Sequence, residues 1–330
     1  MPVLRNHHTF SLKAHCQELE IFQDASSAVS LCDRYPHHYL LGEGSNTVFI
    51  EDYNGAVLLN QIKGLEVSES HEAFHLRVGA GENWHRLVTT ALEQGWHGME
   101  NLALIPGSVG ASPIQNIGAY GLEVGTFIET VEMVDRASGN VVILSHDECC
   151  FGYRDSVFKQ ELSGKVIITH VNFVLPKNYQ LNTSYGELST LSDPTPKTIF
   201  DKVISVRSSK LPNPEKLGNA GSFFKNPVID VARFNTLKEE NPEIPFYNIG
   251  GNQVKIPAAW LIDQCGFKGK QTGDVRCHPT QPLVLTNLGK ATGKDVVKMA
   301  QDIMAAVESK FGVPLEPEVR LVGKEGLVTL

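Results

Sequence analysis

Apolar positions recur at helical spacing in several segments of the chain. The clearest is 83–93, where one helical face carries Trp84, Leu87, Val88, Ala91 and Leu92. Further helices are predicted at 24–34 after the cap Asp24, at 196–210 after Thr195, within 255–266 from Pro257, and at 296–311 before Gly312. Each of these begins or ends at a residue type that suits a helix terminus.

Strand patterns are shorter and lie between these helices. Residues 165–175 alternate, with Ile167, Val171, Phe173 and Leu175 on one side and His170 and Asn172 on the other. Short strands are also predicted at 39–41 and 317–322. The elements show no parallel βαβ rhythm, which favours an α+β fold. A polar stretch, 176–197, is the best candidate for a domain boundary.

Composition narrows the classes of partner. A chain of 330 residues has room for two or three domains, and its net charge of -8 argues against nucleic acid. No apolar run reaches membrane-spanning length and no signal peptide is apparent, so no membrane partner is expected. The scattered cysteines indicate a reducing cytoplasm. The spacing of Cys265, Cys277 and His278 matches no zinc pattern, so no metal is expected.

Glycine-rich segments suggest a bound nucleotide cofactor. Residues 104–121 carry four glycines and almost no charge, and apolar runs end in Gly-x-Gly at 42–44 and 79–81. Glycine lets a main chain approach a ligand, and successive N–H groups can bind phosphate. Trp84 stands where a dinucleotide-binding motif needs its third glycine, so that fold is not indicated. The alternative interpretation is a tightly turned structural loop.

The second half of the chain contains a serine in an unusual setting. Ser222 follows a flexible Gly-Asn-Ala-Gly turn and precedes two phenylalanines. No Gly-x-Ser-x-Gly surrounds it, so a hydrolase nucleophile is not favoured. Such a serine can donate a proton to a strongly basic group. The alternative is that Ser222 only caps a turn.

Charged residues offer candidates for anion binding. Arg207, Lys210, Lys225, Lys255, Lys268 and Lys270 could meet a diphosphate, although cations near a helix end are often only dipole partners. Arg154 either forms an ion pair near Asp155 or clamps a carboxylate. Glu318 is one of two closely spaced acids, and a surface charge is the default interpretation.

Seven segments, in order along the chain, resemble the UDP-N-acetylenolpyruvoylglucosamine reductase family, also known as UDP-N-acetylmuramate dehydrogenase. They are GEGSN (42–46), GAGENW (79–84), IPGSVGASPIQNIGAYG (105–121), FGYRDS (151–156), GNAGSFFKNP (218–227), AAWLIDQCGFKG (258–269) and LEPEVRLVG (315–323). Residues 182–188, the tyrosine loop, resemble the type I form of the family.

The resemblance implies an α+β chain with three parts. Residues 1–180 would form an FAD-binding domain of the vanillyl-alcohol-oxidase (PCMH) type, made of two α+β subdomains. Residues 181–197 would be a linker with the tyrosine loop, and 198–330 a C-terminal α+β substrate-binding domain.

The resemblance also implies residue roles. The catalytic residues would be Arg154, Ser222 and Glu318. The FAD-binding residues would be Gly42, Gly44, Ser45, Asn46, Gly107, Ser108, Gly110, Ala111, Ser112, Pro113, Asn116, Gly118, Ala119 and Tyr120. The substrate-binding residues would be Tyr185, Lys210, Asn226, Tyr247, Lys255, Lys268 and Gln281.

The implied reaction assigns these residues to specific steps. NADPH reduces non-covalently bound FAD, and UDP-N-acetylglucosamine enolpyruvate then receives hydride from flavin N5 at C3 and a proton from Ser222 at C2. Arg154, together with Glu318, would stabilise negative charge on the substrate carboxylate. The product, UDP-N-acetylmuramate, is a peptidoglycan precursor, and the enzyme is expected to be a cytoplasmic monomer. The alternatives are a flavin oxidase of the same fold and a non-catalytic nucleotide-binding protein.

Overall fold

The computed structural model describes residues 1–330 and divides into two structural units, each built from discontinuous stretches of chain. The first unit comprises residues 1–17, 44–54 and 210–330, and the second comprises 18–43 and 55–209. We call them the terminal unit and the inner unit. The three parts predicted from the sequence, residues 1–180, 181–197 and 198–330, stay a prediction.

The regular elements are mixed along the chain. The helices are α1 (Ala25–Arg34), α2 (Trp84–Glu93), α3 (Pro196–Lys210), α4 (Val231–Glu240), α5 (Ala258–Gln264) and α6 (Gly293–Phe311). The strands are β1 (Cys16–Phe22), β2 (His38–Leu41), β3 (Thr47–Phe49), β4 (Tyr53–Asn60), β5 (Leu65–Glu69), β6 (Ala73–Gly79), β7 (Gly118–Ala119), β8 (Leu122–Glu123), β9 (Ile128–Asp135), β10 (Val141–Ser145), β11 (Val166–Pro176), β12 (Gly218–Ser222), β13 (Val228–Asp230), β14 (Tyr247–Gly250), β15 (Gln253–Lys255), β16 (Gln271–Thr272), β17 (Val275–Cys277), β18 (Val284–Asn287), β19 (Arg320–Gly323) and β20 (Gly326–Val328).

The helices predicted from capping and periodicity are confirmed. Asp24 accepts a hydrogen bond from Ser27 N at 2.7 Å at the start of α1, and Thr195 Oγ1 accepts one from Thr198 N at 3.1 Å at the start of α3. Helix α2 buries Trp84, Leu87, Val88 and Ala91. Helix α6 ends at Phe311, and its C-cap Gly312 has a φ of +62°, a left-handed conformation that glycine adopts without strain.

The inner unit is built on an antiparallel sheet of five strands in the order β10-β9-β11-β6-β5. One face packs on α2 and buries residues such as Val78, Val131 and Val171. Strands β1, β4 and β2 form a smaller sheet in which β2 and β4 are parallel. A separate core cluster joins Phe22, Ala28 and Leu58.

The predicted facing of Ile167 is wrong. Strand β11 pairs with β9 through Ile168 and Met133 and then through His170 and Glu132, so Thr169 is an extra residue in a β-bulge. The bulge shifts the alternation by one position. As a result Ile167 packs with Ala28 and Leu58, whereas Ile168 shares the larger core with Val171.

The terminal unit contains three further sheets, with strand orders β12-β18-β17-β16, β13-β15-β14 and β20-β19-β3. Helix α6 supplies Val296, Ile303 and Val307 to its core. The predicted final strand at 317–322 begins only at Arg320, and it does not close the chain. Strand β20 follows and pairs antiparallel with β19, a hairpin that sequence alternation over so few residues did not indicate.

No helix of the chain combines the length and the apolar character needed to cross a membrane.

The face of the five-stranded sheet opposite α2 carries a charged network. Arg77 donates to both Glu132 carboxylate oxygens at 2.8 Å and to Glu66 at 3.1 Å. These bonds hold the pKa of Glu132 at about 2, well below its ordinary value, and Asn172 adds a further donor. Arg77, Glu66 and Asn172 line a hollow of about 360 Å³, and none of the predicted functional residues lines it.

Glu132→Gln is expected to lower the free energy of unfolding by about 1–3 kcal/mol at pH 7, because it weakens charge-assisted hydrogen bonds. A depressed carboxyl pKa stabilises the fold above the unfolded-state pKa, and this stabilisation is lost as pH falls towards about 2. The difference between wild type and variant should therefore shrink from pH 7 to pH 3 in urea unfolding. Glu66→Gln removes a largely exposed partner of the same arginine and should have little effect. A difference that does not change with pH would contradict this assignment.

Candidate active site

The glycine loop, residues 104–121, is bound to the turn at 79–84 by backbone hydrogen bonds within the inner unit. Val109 N donates to Glu82 O at 2.8 Å, and Gly110 N donates to Ala80 O at 2.8 Å. A Cβ on Gly110 would lie 2.5 Å from Ala80 Cβ, so only glycine permits this approach. Gly110 therefore has a packing role that does not require a ligand, as the structural interpretation of the loop predicted.

Other main-chain groups of these turns are suited to phosphate. The N–H groups of Gly42, Gly107 and Ser108 take no part in the backbone hydrogen bonds of the chain. Gly42 and Ser108 are also in close contact, because a Cβ on Gly42 would lie 2.5 Å from Ser108 Oγ. Neighbouring unpaired N–H groups form an anion-binding concavity. The predicted contact of Gly42, Gly107 and Ser108 with FAD is compatible with this geometry and stays a prediction.

Two polar side chains of the glycine loop are occupied by protein contacts. Asn116 Nδ2 donates to the Glu123 carboxylate at 2.9 Å and to Gly152 O at 3.1 Å, and Asn116 Oδ1 accepts from Gly125 N at 2.9 Å. Ser112 Oγ donates to Val109 O at 2.7 Å. Both residues are buried, so these hydrogen bonds to protein are shielded from water.

The guanidinium of Arg154 lies against the same loop. Nη2 donates to Gly118 O at 2.8 Å and Nη1 donates to Asn116 O at 3.4 Å. The Asp155 carboxylate instead accepts from Ser156 N and Gln160 Nε2. Arg154 is thus held by the glycine loop, and its own φ of +55° shows that the backbone takes a left-handed turn to deliver it.

Arg207, which the sequence offered either as a diphosphate contact or as a helix-end cation, lies against the glycine loop. Its Nε donates to Leu104 O at 3.2 Å, and burial lowers its pKa, with a smaller contribution from the positive charge of Arg154. The sequence did not predict this contact with the glycine loop. A signal was present, because Arg207 follows Val203 by four positions and so falls on the buried face of α3.

Tyr185 of the tyrosine loop contacts the end of the glycine loop. Its ring stands edge-on to that of Tyr120 with centroids 6.3 Å apart, and it remains 37% exposed. Tyr120 has a left-handed φ of +49°, and burial raises the pKa of its hydroxyl. The pair also lies close to Arg207, which acts on Tyr120 electrostatically.

The terminal unit brings Ser222 and Glu318 onto neighbouring segments. Glu318 N donates to Phe223 O at 2.8 Å, and Asn46 Nδ2 donates to Glu318 O at 3.1 Å. The Gly-Asn-Ala-Gly segment is not a flexible turn. It belongs to β12, whose register shifts between Asn219 and Ser222, and the buried Asn219 side chain fixes the bulge by accepting from Gly221 N.

The remaining predicted FAD residues of this unit also contact protein. Gly44 has a φ of +67°, and a Cβ there would lie 2.1 Å from His7 O. Thr9 holds this turn, because its N–H donates to Gly44 O and its hydroxyl donates to Ser45 O. The turn is therefore preformed by the N-terminal segment.

Two of the predicted substrate residues, Tyr247 and Lys255, lie on the sheet β13-β15-β14, and a third, Asn226, shortly precedes β13. Lys255 is paired with Tyr247 on one side and Val228 on the other, and its Nζ lies 5.8 Å from the Tyr247 ring centroid. Asn226 Oδ1 accepts from Ala258 N at 2.9 Å at the start of α5. Asn226 therefore has a capping role in the absence of substrate.

Lys268 and Gln281 also lie in the terminal unit, outside the sheet β13-β15-β14. Lys268 forms an ion pair with Asp263 at 3.4 Å, and Gly269 N donates to Cys277 O. The backbone N–H of Gln281 donates to His278 Nδ1 at 3.3 Å. Lys210 is exposed at the end of α3.

Comparisons with known proteins agree with this arrangement. A family model for the C-terminal domain of UDP-N-acetylenolpyruvoylglucosamine reductase matches residues 213–322, and one for an FAD binding domain matches 21–145. The UDP-N-acetylenolpyruvoylglucosamine reductase of Pseudoalteromonas atlantica is 47% identical over 329 residues, 99% of this chain and 95% of that protein. The protein of that name from Escherichia coli K12 is 49% identical over 293 residues, 88% of this chain and 85% of that protein.

A solved structure is similar over nearly the full length. The crystal structure of UDP-N-acetylenolpyruvylglucosamine reductase from Thermus caldophilus gives a TM-score of 0.67 at 23% identity and covers 97% of both chains. The predicted fold class is confirmed as an α+β chain with an FAD-binding domain followed by the C-terminal domain of this reductase family.

Asn226→Ala is expected to lower the free energy of unfolding by about 1 kcal/mol, because the N–H of Ala258 loses its acceptor. Asn226→Asp keeps an acceptor oxygen at the same place and should unfold at nearly the wild-type urea concentration. Equal stability of all three proteins would show that the capping bond has no energetic weight.

Proposed function

The chain belongs to the UDP-N-acetylenolpyruvoylglucosamine reductase family, and from this membership we propose that it reduces UDP-N-acetylglucosamine enolpyruvate to UDP-N-acetylmuramate. NADPH is the proposed reductant, and FAD is bound without a covalent link. The reaction belongs to peptidoglycan precursor synthesis, in the cytoplasm, and the enzyme acts as a monomer. The proposed domains are 1–180 for FAD, 181–197 as linker and 198–330 for substrate.

One observation carries this proposal, the backbone link between the two acid–base candidates of the terminal unit. Glu318 N donates to the carbonyl of Phe223, the residue that follows Ser222. Asn46, from the GEGSN segment, donates to the Glu318 carbonyl. A predicted cofactor segment, a proton donor and an acid are thereby tied together within one unit.

The chemistry that FAD supplies when bound is two-electron transfer, with reduction by NADPH and hydride delivery from N5 to C3 of the enolpyruvyl group. The chain must then hold a proton for C2. Ser222 Oγ is assigned to this step, since C2 of an enediolate is basic enough to accept a proton from a hydroxyl. Solvent returns the proton to Ser222, so no histidine partner is needed.

Positive charge near the substrate carboxylate is assigned to Arg154. Its hydrogen bonds to Gly118 O and Asn116 O fix the orientation of the guanidinium before substrate arrives, which is the preorganisation that electrostatic stabilisation requires. Arg207, held on Leu104 O, adds a second positive charge in the same unit. Glu318 is assigned to hydrogen bonding of the carboxylate.

Substrate binding is assigned to polar and cationic residues that suit a nucleotide diphosphate. Tyr247 and Lys255 are adjacent on paired strands. The aromatic ring can therefore contact a flat base while the neighbouring ammonium group binds an anionic group. The full set is Tyr185, Lys210, Asn226, Tyr247, Lys255, Lys268 and Gln281. Their charges offset part of the repulsion that a chain of net charge -8 exerts on an anion.

The cofactor assignment predicts that the purified protein is yellow and that acid precipitation releases the flavin into the supernatant. The glycine loop contains neither histidine nor cysteine to form a covalent link. NADPH should bleach the flavin under anaerobic conditions, and the enolpyruvyl substrate should restore its colour. Flavin retained in the protein pellet, or colour restored only by oxygen, would favour the oxidase alternative.

Ser222→Ala is expected to leave reduction of the flavin by NADPH nearly unchanged and to slow its reoxidation by the enolpyruvyl substrate about 10²–10⁴-fold, because the proton donor is lost. Stopped-flow absorbance separates the two half-reactions. Ser138→Ala, in an exposed turn of the inner unit, is the control and should leave both rates unchanged. A normal reoxidation rate in Ser222→Ala would refute the assignment.

A further inference from the structure

Asn101 is a buried polar residue to which neither the sequence motifs nor the proposed mechanism assigns a role. It lies in a short 3-10 turn, Glu100–Leu102, and its side chain is 1% exposed. Leu102 O accepts the Trp84 indole N–H at 2.9 Å, which ties the turn to α2. Asn101 is thus presented from a rigid part of the inner unit.

The amide of Asn101 joins two loops. Nδ2 donates to Tyr120 O, at the end of the glycine loop, and to Asn182 O, at the start of the tyrosine loop, both at 2.9 Å. Both partners are carbonyls, so the NH₂ end of the amide must face them. Asn101 Oδ1 is left buried without a protein partner, so the side chain acts here only as a donor.

Asn182 extends the same connection towards Tyr185. Its Nδ2 donates to Gly121 O at 3.1 Å, and its Oδ1 accepts from both the N–H and the hydroxyl of Ser184. The next residue, Tyr185, packs edge-on against Tyr120. Residues 177–195 contain one 3-10 turn and no strand or α-helix, so side-chain bonds such as these, together with the burial of Leu188, hold the segment in place.

We infer that Asn101 is a positioning residue that fastens the tyrosine loop to the glycine loop and holds Tyr185 ready for substrate. This inference rests on the proposed function for the role of Tyr185 as a substrate contact. Holding the loop in place before binding reduces the entropy lost when substrate arrives. Loss of the fastening should therefore weaken substrate binding more than it slows the chemical step.

The sharpest test is Asn101→Asp, because it keeps the size and shape of the side chain while replacing the double donor by an acceptor. Hydrogen exchange of residues 182–187 in the purified protein should become at least about 10-fold faster. The KM for the UDP-sugar should rise about 5- to 30-fold, with kcat and flavin content nearly unchanged. Asn101→Ala should change both measurements in the same direction.

Asn60→Ala is the matched control for a general loss of stability. Its Nδ2 donates to Ile168 O at 2.9 Å, and its Oδ1 accepts from Ile62 N at 3.1 Å. Both contacts lie in the same unit, and neither involves the tyrosine loop. Exchange at 182–187 and the KM should stay at wild-type values. Asn182→Asp removes only the bond to Gly121 from a partly exposed residue, so it provides a folded variant with a smaller effect if Asn101→Asp does not fold.

Two results would overturn the inference. One is exchange at 182–187 in Asn101→Asp that matches the Asn60→Ala control. The other is faster exchange with an unchanged KM, which would mean that the fastening has no part in binding. If the wild-type protein does not turn over the UDP-sugar, the proposed function fails, whereas the exchange measurement still decides whether Asn101 holds the loop.

Discussion

The pairing of the glycine loop with the turn at 79–84 is the constraint on which the inner unit's site depends. The hydrogen bonds of Val109 and Gly110 and the absence of a Cβ on Gly110 fix where this uncharged loop lies. The carbonyls of the loop then hold Arg154 and Arg207, and its far end receives the amide of Asn101. These two cationic side chains are thus positioned by hydrogen bonds to main-chain carbonyls of the loop.

Elements with local signals were predicted well, and those that depend on pairing were not. Helices α1, α2, α3 and α6 carry their own caps and apolar faces, so residues within one segment determine their bounds. The side of the sheet to which Ile167 points depends on a bulge opposite Met133 and Glu132 in β9. The sequence of β11 alone does not determine this register, because it depends on the partner strand. Strand β20 likewise exists because β19 is beside it.

Sequence motifs identified the candidate site residues, but they did not predict the hydrogen bonds that these residues make within the protein. Asn116 and Asn226 were predicted as ligand contacts, yet both make protein hydrogen bonds that link distant segments. Asn101 and Arg207 carry no motif of their own. Their importance comes from main-chain carbonyls many residues away, Asn182 and Leu104, and such contacts follow from the fold rather than from spacing. The roles of the predicted residues in binding and catalysis remain predictions.

The discontinuous build of the terminal unit has a consequence for the order of events during synthesis. Strand β3 pairs in parallel with β19, so Thr47 lies opposite Arg320. Strand β3 therefore has no partner strand until almost the whole chain has left the ribosome. The sheet strands β5, β6, β9, β10 and β11 of the inner unit all lie within residues 65–176, so they can pair earlier. Closing the long loop between β3 and β19 is slow, although the entropic cost of closure grows only weakly with loop length. A chain cut short before β19 would leave β3 unpaired and so lose structure near its beginning as well as at its end.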